Sequence, residues 1–93
     1  MGFSLCYHPD VREIDLPLLD RKTKARVRKA IEERLRTAPQ DYGKPLRRTL
    51  RGYWKLRVGD YRVVFKVIEK EVRIFGICHR RDVYHKMASR TAY

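Results

Sequence analysis

A chain of 93 residues has room for one hydrophobic core of ordinary size and not for two. Its 23 Lys and Arg against 11 Asp and Glu leave a formal net charge of +12, yet 43% of the residues are hydrophobic, so the chain can fold and should meet an anionic partner. Cys6 and Cys78 lie far apart in apolar contexts, which excludes a dense disulfide framework and fits a reducing cytoplasm, and no apolar run approaches the length of a membrane-spanning helix.

In chain order, "FSLCYH" (Phe3 to His8) alternates enough for a short strand, punctuated by His8-Pro9-Asp10. Val11, Ile14 and Leu18 predict a short helix kinked at Pro17. From Asp20, "DRKTKARVRKAIEERLRTAP" sets Val27, Ala30, Ile31, Leu35 and Ala38 on one stripe, an amphipathic helix stopped before Pro39. Its basic side, with Lys24, Arg26, Arg28, Lys29 and Arg36, reads as solvated helix surface. "DYGKP" reads as a loop without the flanking residues of a phosphate-binding P-loop.

"PLRRTLRG", "YWKLRV", "YRVVFKVI" and "EVRIFGICH" then read as three or four strands in a meander. The expectation is a single α+β domain over residues 1–93. In it, an N-terminal strand and two helices pack on one face of a small antiparallel sheet, with a short C-terminal helix or tail.

A two-residue turn at Gly59-Asp60 pairs Val58 with Tyr61, Arg57 with Arg62, Leu56 with Val63, Lys55 with Val64 and Trp54 with Phe65. Alternation then sends Trp54, Leu56, Val58, Tyr61, Val63, Phe65 and Val67 to the core, and Tyr53, Lys55, Arg57, Arg62, Val64 and Lys66 to the other face. A second turn at Glu69-Lys70 pairs Lys66 with Arg73 and Arg62 with Ile77. That register adds Val72, Ile74, Gly76 and Cys78 to the core side, and Arg73, Phe75, Ile77 and His79 to the basic side. Like charges facing each other, as Arg57 and Arg62 do, destabilise a sheet unless an anion joins them. Three readings follow: an inert basic surface, a phosphate-binding surface without chemistry, and a site that holds a phosphate and acts on it.

No carboxylates cluster on this face, and His8, His79 and His85 lack metal-ligand spacing, so no metal or other cofactor is expected. RNA can still be cut without a metal, because its own 2′-hydroxyl can attack the adjacent phosphate. That route needs a group to polarise the hydroxyl, cations at the phosphoryl oxygens and a proton donor for the leaving 5′-oxygen.

The segment "LRGYWKLRVGDYRVVFKVIEKEVRIFGICHRRDVY" resembles the signature region of the RelE/ParE toxin superfamily, particularly the RelE-like ribosome-dependent mRNA interferases. The likeness lies in L-x-G, R-x-G-x-Y-R and H-R-R-x-V-Y, over roughly residues 46 to 84. It implies the toxin of a type II toxin–antitoxin pair, with mRNA, the ribosome and a cognate acidic antitoxin as partners and no membrane. Some members of the superfamily instead poison DNA gyrase.

Carried over residue by residue, the resemblance makes Arg62 the phosphate-stabilising arginine and Lys55 a catalytic strand lysine. Tyr53 stands where some relatives have a second lysine. The general acid is left between His79 and Arg80, and Tyr84 matches a tyrosine that stacks on a base or moves a proton. Tyr53, Arg57, Lys66, Arg73 and Arg81 complete the implied RNA-binding surface. With Val64, Phe75 and Ile77 among these cations, the basic face is also partly apolar, and an acidic amphipathic antitoxin segment is expected to lie across or beside it.

Overall fold

The computed structural model describes residues 2–90. Strand β1 (Ser4–Tyr7) leads into a helical stretch with a π-turn at Val11–Asp15 and a 3₁₀ turn at Leu16–Leu18, the latter holding Pro17. Helix α1 (Arg21–Ala30) is started by Asp20, whose Oδ1 accepts from the Thr23 N–H at 2.7 Å. It continues through a π-turn at Ile31–Leu35. Pro39 does not merely end this helix but begins another, the one-turn α2 (Pro39–Tyr42), because its fixed φ and missing N–H suit a first helical position.

Strand β2 has only two residues, Lys44–Pro45, and the arginine-rich segment after it forms a 3₁₀ turn at Arg48–Leu50 rather than the strand expected there. Strands β3 (Trp54–Val58), β4 (Tyr61–Ile68) and β5 (Glu71–His79) follow as a meander. A 3₁₀ turn at Arg80–Asp82 then opens helix α3 (Val83–Arg90).

The sheet order is β1-β5-β4-β3-β2. The β3–β4 hairpin has the expected register, with Arg57 opposite Arg62 and a left-handed Gly59 in its turn. All neighbours are antiparallel except β1, which joins β5 in parallel. The helical segment from residue 9 to 42 carries the chain from β1 at one edge of the sheet to the short β2 at the other, and the strands that follow return to set β5 beside β1 in parallel.

The expected β4–β5 register holds near the turn, where Lys66 faces Arg73, and then breaks. Val64 pairs with Gly76 and Phe65 with Ile74, so Phe75 is one residue more than the partner strand can match. Beyond this bulge every β5 side chain lies on the face opposite to the expected one. Arg62 faces Cys78 instead of Ile77, and Tyr61 faces His79. Ile77 therefore joins the core under α1, with Val27, Ile31, Leu35, Leu56, Val63 and Phe65, while Cys78 and Gly76 turn to the other side.

That other side is not an open basic surface. Leu46, Leu50, Val64 and Cys78 form a second buried cluster with Val83 and Met87 of α3, flanked by Tyr53. Helices thus cover both faces of the sheet, α1 one and α3 part of the other. The apolar docking patch expected from Val64, Phe75 and Ile77 does not form, since Val64 is sealed by α3 and Ile77 lies in the first core. Among the described residues, no helix is long and apolar enough to cross a membrane.

Candidate functional site

The part of the second face left open beside α3 is a cleft of ≈ 370 Å³ lined by Leu46, Lys55, Arg62, Arg80, Arg81, Val83 and Tyr84. It runs on along Lys44, Pro45 and Arg47 to Arg48 and Thr49. Four elements supply its polar side chains. Strands β3 and β4 supply Lys55 and Arg62, the turn after β5 supplies Arg80 and Arg81, and the first turn of α3 supplies Tyr84. No residue lining these stretches is a carboxylate.

Arg62 is held firmly. Its Nη1 donates to the carbonyls of Gly59 at 3.1 Å and Tyr61 at 2.9 Å, which fixes the guanidinium against its own hairpin turn. Partial burial, with Arg57 and Arg80 nearby, shifts its pKa below the ordinary arginine value. The group stays charged, and a bound anion would relieve the repulsion it feels.

Tyr84 is 41% exposed, and its hydroxyl oxygen accepts from the Arg47 N–H at 3.0 Å. The phenol proton therefore remains available for donation into the cleft. Arg48, at φ 55°, holds the left-handed conformation that an arginine seldom adopts, in the turn that presents Arg47 to Tyr84.

Of the residues singled out in the sequence, Lys55, Arg62, Arg80, Arg81 and Tyr84 line one cleft. His79 does not join them. The bulge places it opposite Tyr61, with ring centroids 5.7 Å apart. Its Nδ1 accepts the Arg81 backbone N–H at 3.2 Å, so it caps the turn that carries Arg80 and Arg81. Tyr53 packs edge-on against Phe75 at 4.9 Å, and the Lys66 ammonium lies 5.2 Å over its ring. Arg73 is held by Glu71 at 2.6 Å, toward the other end of the hairpin.

Arg57 is exposed across from Arg62 but is not among the residues lining the cleft. Sequence reasoning passed over Lys44, Arg47 and Arg48. The signal was the basic run after Pro45, read as strand when it is a loop folded around Tyr84. Among the described residues, no group of three or more His, Cys, Asp or Glu is placed to hold a metal ion.

Comparison with known proteins adds a family. The model for the ParE toxin of the type II toxin–antitoxin system parDE matches residues 9–84. Toxin RelG of Mycobacterium tuberculosis is 38% identical over 50 residues, which are 52% of this chain and 58% of that relative's length. The toxin–antitoxin complex RelBE2 from the same organism contains a similar chain at TM-score 0.79 and 29% identity, covering 86% of this chain and 100% of that one. A double arginine-to-alanine mutant of the E. coli toxin RelE in the free state matches at TM-score 0.71 over 100% of both chains with 19% identity, a likeness of fold.

Proposed function

Because the chain belongs to the ParE toxin family of type II toxin–antitoxin systems, within the wider RelE/ParE superfamily, we propose that it is a metal-independent endoribonuclease that cuts mRNA on the ribosome. The observation that carries this reading is the meeting of Lys55, Arg62, Arg80, Arg81 and Tyr84 in one cleft without carboxylates. Four cations suit the phosphoryl group of an RNA strand. Tyr84 suits a proton transfer or a stacked base.

In the proposed reaction Arg62 and Arg80 neutralise the non-bridging oxygens as the 2′-oxygen bonds to phosphorus and the bond to the 5′-oxygen breaks. The charge of Lys55 eases loss of the 2′-hydroxyl proton to solvent. Tyr84 supplies a proton to the departing 5′-oxygen and recovers one from water. The products are a 2′,3′-cyclic phosphate and a free 5′-hydroxyl. His79 keeps a role in this scheme through the turn it caps, Arg57, Lys66, Arg73 and Arg81 guide the flanking strand electrostatically, and the Tyr53 ring holds Lys66 beside them. The same reading makes residues 1–93 one toxin domain acting in the cytoplasm and held in check by an acidic antitoxin.

A second reading, action on DNA gyrase, is favoured by the ParE description of the matching family model. Inducing the chain and mapping mRNA 5′ ends decides between the two: cuts within translated codons with intact chromosomal DNA support the ribonuclease, and gyrase-dependent DNA breaks with intact mRNA overturn it. Cleavage should also proceed unchanged when EDTA is added at a level that leaves ribosomes assembled, since the cleft offers a metal no acidic ligand. Activity lost to the chelator and restored by Mn²⁺ or Zn²⁺ would contradict the scheme.

A further inference from the structure

Helix α3 does two things at once. Its face with Val83 and Met87 seals the second cluster, and its first turn sets Tyr84 in the cleft. Its last described residue, Arg90, is buried at 9% exposure against Asp15, which is 1% exposed. The pair is bidentate, Nη1 to Oδ2 at 2.7 Å and Nη2 to Oδ1 at 3.1 Å. Asp15 Oδ2 also accepts the Ile77 N–H at 2.8 Å, and Arg90 Nη1 donates to the Phe75 carbonyl at 3.0 Å. One carboxylate thus ties the Val11–Asp15 turn, the strand just past the bulge and the end of α3.

Gly76 lets the helix come this close. A Cβ there would collide with Met87 Sδ and stand 2.9 Å from Arg90 Nη1. Val83, Met87 and Arg90 follow at i, i+4 and i+7, a single stripe on the helix. Tyr84 lies beside that stripe, almost two turns from Arg90.

We propose that the buried Asp15–Arg90 pair is a latch that keeps α3 docked on the sheet and makes both residues positioning residues for Tyr84. A buried ion pair contributes little net stability compared with apolar packing, but losing one partner leaves the other underpaired: without Arg90 the Asp15 carboxylate keeps the Ile77 N–H, and without the Asp15 charge Arg90 keeps Asp10, 3.5 Å from its Nε, and the Phe75 carbonyl, so the pair discriminates between docked and undocked arrangements. Opening the latch removes the lid from the second cluster and takes Tyr84 off the Arg47 N–H in one motion. Of the first core, Ile77 gives its N–H to Asp15 and Val11 shares its turn, but helix α1 makes none of these contacts and stays packed.

Cys78 reports the motion directly. It is buried in the cluster that α3 seals, and burial pushes its thiol pKa up to about 11. In a Cys6→Ser background, which removes the exposed thiol, iodoacetamide should label Cys78 about tenfold faster after Arg90→Met or Asp15→Asn, since labelling follows the open population. Amide exchange should rise across 83–90 and not across 24–30. Arg90→Lys, which keeps the charge but cannot bridge both oxygens, should fall between parent and Arg90→Met, and serves in its place should that variant not fold.

An unchanged labelling rate in a folded variant, or exchange rising equally in α1, overturns the latch. One further arm rests on the proposed activity. Arg90→Met should lower kcat rather than raise KM, and should add nothing further in a protein that already carries Tyr84→Ala. Additive losses overturn the link to Tyr84. A parent that cuts no RNA, with Cys78 unmasked as expected, overturns the ribonuclease reading and supports the latch.

Discussion

Replacing Arg62 by alanine should lower mRNA cleavage about a hundredfold, the loss expected when one donor aimed at developing charge is removed from a preorganised site. The size of the loss follows from how Arg62 is held. Two carbonyls of its own hairpin fix the guanidinium before any substrate arrives, so little reorganisation is needed when charge builds on the phosphoryl oxygens. The same substitution relieves repulsion with Arg57 and Arg80 and should leave the midpoint of urea unfolding at or slightly above that of the parent. Single-turnover cleavage on programmed ribosomes is the measurement. Cleavage within a few-fold of the parent by a folded variant would remove Arg62 from the chemistry.

The largest loss of stability should come from Phe65→Ala, at about 3–5 kcal/mol. Phe65 is fully buried in the first core and its ring stacks with Trp54 at 6.5 Å. It also reaches the segment before β2. A Cβ at Gly43 would come within 2.6 Å of its Cζ, so the ring fills the space that the glycine leaves open. Domains of this kind are stable by only about 5–15 kcal/mol, so the truncation removes a large share of the total. Tyr42→Ala, at a site 54% exposed, should change unfolding by less than about 0.5 kcal/mol and serves as the control. Urea denaturation of both variants settles the comparison, and equal losses would mean that the ring is not a keystone of this core.

The same residues explain what the sequence made legible. The β3–β4 hairpin was readable because its information is local: Gly59-Asp60 specifies the turn, and strict alternation from Tyr53 to Lys66 then fixes both faces. The helix stripe was readable for the same reason, as Val27, Ile31 and Leu35 stand at helical spacing. The bulge was not. Phe75 looks like any other strand residue, and its displacement follows from packing α3 over Gly76, a contact between distant parts of the sequence. A single unpaired residue then reassigned Ile77, Cys78 and His79.

The cleft came through this error because Lys55 and Arg62 precede the bulge, and Arg80, Arg81 and Tyr84 were singled out through motif likeness rather than strand register. Lys44, Arg47 and Arg48 were missed because a basic run with β-branched and apolar neighbours gives no local sign that it wraps a tyrosine from another element. The Asp15–Arg90 pair was missed because two oppositely charged residues 75 positions apart carry no mark in a sequence already full of charge.

The edges of the sheet bear on how this chain behaves at high concentration. On one side the outermost strand is only Lys44–Pro45, and proline has no N–H to offer to an incoming strand. On the other, β1 exposes its outer edge over four residues, and the chain turns away after it at His8-Pro9. Neither edge presents a long template, and a formal charge of +12 drives copies apart. Self-association through open strands is therefore disfavoured at both ends of the sheet. The purified chain should tolerate concentration and heating short of unfolding without forming fibrils, and aggregation should begin only once β4 and β5 lose their covering helices.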